Sequence, residues 1–584
     1  MIFDLTDQRK AYIEARGKTI LTACPGSGKT ASVAYKLHSL IKEWEELYGS
    51  YRGVACLSFT NKACSELEEK FMTINGRSII YPHLISTIDS FITQNVVLPY
   101  FYLTTIDHKP TIVNDDEIMH NFYFPGGYPS YAFTRAQKSL MHTYNPEEVN
   151  RGKEHYLYKN KKCDSKIQEY AKEVWKYRVK LGMLNSQDVA YIACCIMNNN
   201  PIIAESLAQR YPYIIVDEAQ DTSELQTLFF DLLCKNGLRN MEYVGDVYQS
   251  IYEWRSADPE NFRKMMATNS GWNVLPLTEN RRSVQRIIDV YSKIRKPGEE
   301  IISSIVSEDK GIPILVYKYN NTNIGSVLKD FSDKCNQHGL ENCRVLVRGK
   351  ELLHHLIGTS EKMKYWKSII PYRLISAILH KEEQHYSSAV KDMLWIKAEL
   401  LLDKKDVSKK NQFVYDCMED YRERASMLSM LDKMPPLNKG FDEWTTKAQL
   451  ELKSAFHLVD DIDFESYVKK KGHNMSMLKN EPVSKYYSIS ASSKLPVQVE
   501  TIHSSKGASY GGVLVFLSDN SSGEKISLSE LSRKKGTSVA EKQRLLYVAC
   551  SRAEQFLAFA VPAKVNDSMI ISTLGIRQEQ ICKI

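Results

Sequence analysis

At 584 residues and 67.1 kDa the chain is several times longer than one typical domain, so more than one core with nested insertions is expected. A 43% hydrophobic and 25% charged composition with few Gly and Pro excludes a largely disordered chain, and no apolar run approaches the roughly 20 residues that a bilayer span needs. The formal charge of +7 sets 77 basic against 70 acidic residues, too even a balance to select a nucleic-acid partner by itself.

The opening Met1 to Lys10 is polar and charged, so no secretory leader is expected. The twelve cysteines lack zinc-ligand spacing and read as reduced thiols of a cytoplasmic protein. Short apolar runs at residues 19–22, 54–57, 213–216 and 241–244 are too brief for helices and read as buried parallel strands. Each ends in polar residues, where an open α/β sheet binds ligands. From about residue 92 to 197 the pattern is one of long amphipathic helices. Strand-like runs return at 312–316 and 344–347, a charged helical block fills about 351–494, and strands resume at 513–516 and 556–559. Residues 404–410 read as a solvated loop. Two α/β cores, each interrupted by a mainly helical insertion, is the simplest account.

Two motifs carry chemistry outright. Ala23-Cys24-Pro25-Gly26-Ser27-Gly28-Lys29-Thr30 follows a strand and precedes a helix, the context of a P-loop. Its backbone amides and helix N-terminus favour an anion; Lys29 suits the β and γ phosphates and Thr30 suits Mg²⁺. Asp217-Glu218-Ala219-Gln220-Asp221 ends the strand at 213–216 and reads as a Walker B site, with Asp217 on the metal and Glu218 as general base.

The full series of motifs resembles, in number and order, the superfamily 1 DNA helicases of the UvrD, Rep and PcrA group. Gln8 resembles the Q motif that reads adenine. Ser58-Phe59-Thr60-Asn61-Lys62-Ala63 is similar to motif Ia, and Ser86-Thr87-Ile88-Asp89-Ser90-Phe91 to motif Ib. Val244 to Arg255 resembles motif III, Asn280-Arg281-Arg282-Ser283 motif IV, Thr501 to Gly507 motif V and Gln543 to Ala553 motif VI.

The resemblance implies two RecA-like domains. Domain 1A would take residues 1–91 and 190–280, insertion 1B 92–189, domain 2A 281–350 and 495–584, and insertion 2B 351–494. It implies ATP and Mg²⁺ as cofactors and DNA as partner, single-stranded or at a single/double-strand junction, with no membrane. Arg282 and Arg552 match the arginines that close on the γ-phosphate, Gln249 the motif III contact to that phosphate, and Gly507 a nucleotide-binding position. Phe59, Thr60, Asn61, Thr87, Tyr252, Trp254, Arg255 and His503 match contacts to the strand, with rings that stack on bases of any sequence. The function implied is ATP-driven 3′ to 5′ translocation on single-stranded DNA with duplex unwinding, in repair or anti-phage defence. An ATP-hydrolysing nucleic-acid sensor that regulates a partner nuclease is the alternative.

Three departures bear on the nucleotide. Arg281 stands where the family usually has an aromatic residue, Ala31 where it has an arginine, and Ser509 where a glutamate contacts ribose. Arg281 would then stack on the base. In the insertions, the rings and cations at 156–162 and 175–178 fit either a nucleic-acid grip or a solvated helix with a buried aromatic stripe.

Overall fold

The computed structural model describes residues 4–104, 182–251, 259–267, 271–320, 322–349, 365–382, 384–402, 420–464, 479–487, 495–522, 525–532 and 539–583, with short pieces between them. These residues fall into two compact units, one holding both sheets and the other Gly349–Val499.

The first sheet is built from Lys18–Ala23 (β1), Val54–Ser58 (β2), Leu84–Thr87 (β3), Tyr213–Asp217 (β4), Asn240–Gly245 (β5) and Asn273–Leu277 (β6), in the spatial order β6-β1-β5-β4-β2-β3. All its pairings are parallel. Its central strands are buried on both faces, so they are apolar without alternation: Ile214 and Val216 enter one core while Tyr213 and Ile215 enter the other. The helix Lys29–Lys42 covers one face with Val33, Ala34, Leu37 and Leu40, a helical spacing of apolar residues. The helix Asn61–Asn75 starts where Thr60 Oγ1 accepts from Ala63 N at 3.1 Å and stops at Gly76, whose φ of 76° few other residues adopt.

The second sheet comprises Leu315–Tyr319 (β7), Arg344–Val347 (β8), Gln498–Thr501 (β9), Tyr510–Phe516 (β10), Ala553–Pro562 (β11) and Ile581–Lys583 (β12), in the order β9-β8-β10-β11-β7-β12. β8–β10, β10–β11, β11–β7 and β7–β12 pair in parallel. The two sheets are those of two RecA-like domains. The strand expected at 312–316 starts only at Leu315, because Pro313 has no N–H to give a ladder.

The Gly349–Val499 unit is helical in its described parts, with Ile370–Glu382, Tyr386–Leu401, Tyr421–Asp432 and Phe441–Ala455 packed around Trp366, Met393, Phe441 and Trp444. Both indoles are buried with their N–H satisfied, Trp366 by Thr445 Oγ1 at 2.9 Å and Trp444 by Pro435 O at 3.0 Å. Of the solvated loop expected at 404–410, residues 404–409 lie outside the described residues, and Lys410 departs from it: it is buried and donates to Glu399 Oε2 at 2.7 Å. A charge that is paired can be buried, and sequence does not show the pairing.

The described pieces of the first insertion, expected to be mainly helical, hold helical segments at Thr93–Val97, Leu98–Tyr100 and Phe101–Leu103 and the start of the helix Ser186–Asn199, together with short strands. Thr111–Ile112 pairs with Met183–Leu184, and His142–Tyr144 pairs antiparallel with Tyr156–Tyr158. Residues 159–162 and 175–178 lie outside the described residues. No helix among the described residues is long and apolar enough to cross a membrane.

Candidate nucleotide site and cleft

Every strand of the first sheet runs toward the same edge, so the segments after β1, β2, β3, β4 and β5 emerge side by side. β5 lies between β1 and β4, which sets Asp246 to Gln249 between the P-loop and the Walker B carboxylates.

In the P-loop, Gly26 and Gly28 have φ of 73° and 80°, and Gly28 caps the helix Lys29–Lys42. Neither has room for a side chain. A Cβ at Gly26 would sit 2.5 Å from Arg282 Cβ and 2.7 Å from Asn280 Oδ1, and one at Gly28 would sit 2.3 Å from Arg9 Nη2. The loop is tied from several sides: Ser27 Oγ donates to Cys24 O at 2.8 Å, Asn280 Nδ2 to Pro25 O at 2.7 Å, Arg281 N to Gly26 O at 2.9 Å and Arg9 Nη2 to Ser27 O at 3.0 Å. Ala23, Cys24, Pro25 and Ser27 are buried, while Thr30 and Ala31 are half-buried at the start of the helix.

Lys29 pairs with Glu218 and lies 3.6 Å from Asp217 Oδ1. Burial works against the Lys29 charge, but the two carboxylates outweigh it and raise its pKa. Burial likewise opposes the Glu218 carboxylate, yet Lys29 and Lys506 hold it down at about 2. Asp217 is pushed up by burial, against the pull of Lys29. Glu218 has φ of 55°, a left-handed conformation costly for a residue with a side chain. Gln220 Nε2 donates to Glu218 Oε2 at 2.6 Å, which fixes the carboxylate further.

Among the described residues, four side chains carried by or next to the second sheet reach this edge. Lys506 pairs with Asp221 and lies 3.7 Å from Glu218 Oε2. Arg552 donates from Nη2 to Gln249 Oε1 at 3.1 Å and from Nη1 to Ala508 O at 3.2 Å. Arg282 Nη1 donates to Ser551 O at 3.1 Å, and Arg544 Nε to Ser250 O at 2.6 Å. Burial and the neighbouring Arg282 both work against the charge on Arg552, a guanidinium that an anion would stabilise. Gly507, with φ of 88°, turns the chain after Lys506.

On the base side, Gln8 is held by Thr278, accepting from its N at 2.9 Å and donating to its Oγ1 at 3.0 Å. Arg281 pairs with Asp4 Oδ2 at 2.8 Å and Glu279 Oε2 at 2.9 Å rather than projecting alone. A separate cavity of about 270 Å³, lined by Thr22, Cys24, Asp246, Tyr248, Arg295 and Glu299 among others, is not the phosphate cradle, since none of Gly26 to Thr30 lines it.

Of the expected strand contacts, Phe59 and His503 are half-buried and Asn61 is exposed. Thr60 is a helix cap, and so is Thr87, whose Oγ1 accepts from Ser90 N at 3.2 Å while donating to Ser90 Oγ at 2.8 Å. Tyr252, Trp254 and Arg255 lie outside the described residues. Sequence reasoning gave no role to Arg9, Asn280 or Lys506, although each stands within or beside a quoted motif. A cation directly after Gln8 and a lysine directly before Gly507 were the available signals.

Residues 5–269 match the UvrD/REP helicase N-terminal domain. The chain is 22% identical over 637 residues to the ATP-dependent DNA helicase Rep of Buchnera aphidicola subsp. Schizaphis graminum, covering 95% of this chain and 92% of that protein. It is 24% identical over 329 residues to the ATP-dependent DNA helicase PcrA of Leuconostoc citreum, covering 53% of this chain and 42% of that one. To the Gabija protein GajB of Bacillus cereus strain VD045 it is 26% identical over 333 residues, covering 56% and 55%. The matched domain and these likenesses to ATP-dependent DNA helicases, together with two parallel sheets whose side chains meet at one edge, support a UvrD-like superfamily 1 DNA helicase, an ATP-hydrolysing enzyme.

Proposed function

We propose that this helicase is an ATP-driven translocase that moves 3′ to 5′ on single-stranded DNA and unwinds the duplex ahead of it. The observation that carries the reading is the shared cleft, where Glu218, paired with Lys29, meets Lys506 and where Gln249 meets Arg552, so that side chains of the first sheet contact those of the second. Hydrolysis there depends on groups from both domains, so nucleotide turnover and domain closure are coupled, which is what a translocation cycle needs.

The residues fit a nucleoside triphosphate with Mg²⁺. Gly26 and Gly28 leave the loop amides bare for phosphate, and Lys29 is a half-buried cation that phosphate oxygens would share with the carboxylates. Thr30 and Asp217 would hold the metal, which supplies charge neutralisation at the phosphates. Glu218 would take the proton of the attacking water, with Gln249, Arg282 and Arg552 on the developing charge. Gln8, Arg281 and Gly507 would line the nucleotide. Phe59, Thr60, Asn61, Thr87, Tyr252, Trp254, Arg255 and His503 would follow the strand, and the domain bounds would be those the motifs imply. We place the protein in the cytoplasm, acting in repair or defence.

The test is ATP hydrolysis with and without single-stranded DNA, then strand displacement on 3′- and 5′-tailed duplexes, with Glu218→Gln as control. Displacement of the 3′-tailed substrate alone supports the proposal; displacement of the 5′-tailed substrate alone reverses the polarity. A second reading, an ATP-hydrolysing sensor that controls a partner nuclease, is motivated by the likeness to GajB. DNA-stimulated turnover with no strand released on either substrate favours it.

A further inference from the structure

Two cysteines outside the nucleotide cleft meet above a glycine. Cys335 lies in the last turn of the helix Ile324–Gln337, and Cys343 immediately precedes β8. The chain between them turns back through Gly339 and Asn342, with φ of 60° and 54°, and Leu340 N donates to Cys335 O at 2.9 Å. Both sulfurs lie 3.0 Å from where a Cβ of Gly512 would stand, so the missing side chain in β10 is what lets them converge. Within the turn Cys343 Sγ donates to Leu340 O at 3.8 Å and to Glu341 O at 3.9 Å.

The environments of the two thiols differ. Cys335 is 3% exposed, whereas Cys343 is half-buried and reachable from solvent. The neighbouring Cys335 thiol, then the Gly512 N–H and Arg344, lower the Cys343 pKa against the effect of burial, while the Cys343 sulfur and burial raise that of Cys335. An accessible thiol that ionises readily beside a second thiol is the arrangement in which oxidation stops at a disulfide. Elsewhere burial raises the thiols of Cys56, Cys194 and Cys550, and pushes Cys24 up to about 12.

We propose that Cys335 and Cys343 are a dithiol modification site that low-molecular-weight disulfides convert to an intramolecular disulfide. The Cys343 thiolate attacks one sulfur of the small disulfide, forming a mixed disulfide and releasing the other half as a thiolate. Cys335 gives its proton to solvent and attacks the Cys343 sulfur, expelling the second half. Two protein thiols are oxidised and one small disulfide is reduced to two thiols, so electrons and atoms balance.

The bond would fix the turn that abuts the exit of motif V. Glu341 O accepts from Gly511 N at 3.2 Å and Asn342 Nδ2 donates to Ser509 O at 3.4 Å. The same segment is joined to Arg552, whose O accepts from Tyr510 N at 2.9 Å and whose Nη1 donates to Ala508 O. Locking the turn therefore restrains the backbone on which Arg552 rests.

The full chain is treated with oxidised glutathione, free thiols are blocked with N-ethylmaleimide, and peptides made without reduction are weighed. We expect a Cys335–Cys343 cross-linked pair to form before any other disulfide and to vanish with dithiothreitol. Cys335→Ser should leave a lasting glutathione adduct on Cys343, and Cys343→Ser should leave Cys335 unmodified. Wild-type protein in which the two residues carry separate blocking groups while other cysteines have oxidised overturns the proposal without recourse to variants. ATP turnover in the cross-linked protein should fall several-fold and recover on reduction; unchanged turnover would overturn the connection to Arg552.

Discussion

Arg552 Nη2 and Gln249 Oε1 are 3.1 Å apart, so a helix-end arginine of the second domain donates to a glutamine held between the P-loop and Walker B strands of the first. Gln249 Nε2 in turn donates to Asp246 Oδ2 at 2.9 Å, the Asp246 N–H donates to Gln220 Oε1 at 3.0 Å, and Gln220 Nε2 reaches Glu218 Oε2 at 2.6 Å. A continuous hydrogen-bonded path thus joins the arginine to the carboxylate proposed as general base.

Gln249→Ala should break that path without touching the P-loop. Losing a buried bond to a charged group costs about 1.5 to 3 kcal/mol, so we expect kcat for ATP to fall by roughly 10- to 100-fold with KM little changed. Steady-state hydrolysis with saturating single-stranded DNA measures it, and a change confined to KM would show that Gln249 acts only in binding.

Arg552→Ala removes the cation itself. An arginine acting on the transferring phosphoryl group is worth about 10³ to 10⁵ in kcat, so DNA-stimulated turnover should fall by at least about 10³-fold. Binding of a fluorescent nucleotide should persist, since the P-loop does not depend on this side chain. A loss of only severalfold in turnover would assign Arg552 to domain packing.

Gly28→Ala should damage the cradle and the fold together. The new Cβ must displace Arg9 Nη2 from 2.3 Å and the backbone must keep φ near 80°, a conformation that costs an L-residue roughly 1–2 kcal/mol. We expect a lower melting temperature and weaker nucleotide binding, read by thermal unfolding with and without ATP.

Arg9→Ala isolates the support of the loop. It deletes the bonds to Ser27 O at 3.0 Å and Asp4 O at 2.8 Å while leaving Lys29 and the carboxylates in place. KM for ATP should rise about tenfold or more and kcat should change less. Unaltered KM would mean that the loop holds its shape without the arginine.

His83 gives a pH-dependent prediction away from the cleft. Burial, then the nearby Arg210, lowers its pKa from 6.5 to about 4, and its Nδ1 accepts from Val54 N at 3.3 Å. The unfolded chain binds this proton more readily, so the contribution is complete above pH 6.5 and is lost as pH falls from there toward 4. Between about pH 7 and 5.5 the loss is on the order of 1 kcal/mol, discounted for partial exposure. His83→Asn should flatten the fall in denaturation midpoint over that range; an equal slope in both proteins would refute the assignment.

Much of the first domain was legible because its strands are buried on both faces. Residues 54–57 and 213–216 are apolar throughout, and the motif residues follow the strand ends directly. Leu84–Thr87 and Asn273–Leu277 escaped notice because they lie at the sheet's two edges, where partial exposure weakens the apolar signal. The roles of Thr60 and Thr87 as helix caps were equally invisible, since a cap depends on where the helix begins.

The sequence alone determined the family's motif order, the P-loop and the acidic strand end, because phosphate and metal chemistry demands particular residues at fixed local spacing. It could not determine that Lys506 pairs with Asp221, that Arg9 supports Ser27, or that Cys335 meets Cys343 over Gly512. The first two contacts join residues 285 and 18 positions apart, and the third needs a glycine on a different strand to leave space. Such contacts follow from sheet order and packing, which local spacing does not encode, so only the tertiary structure decided them.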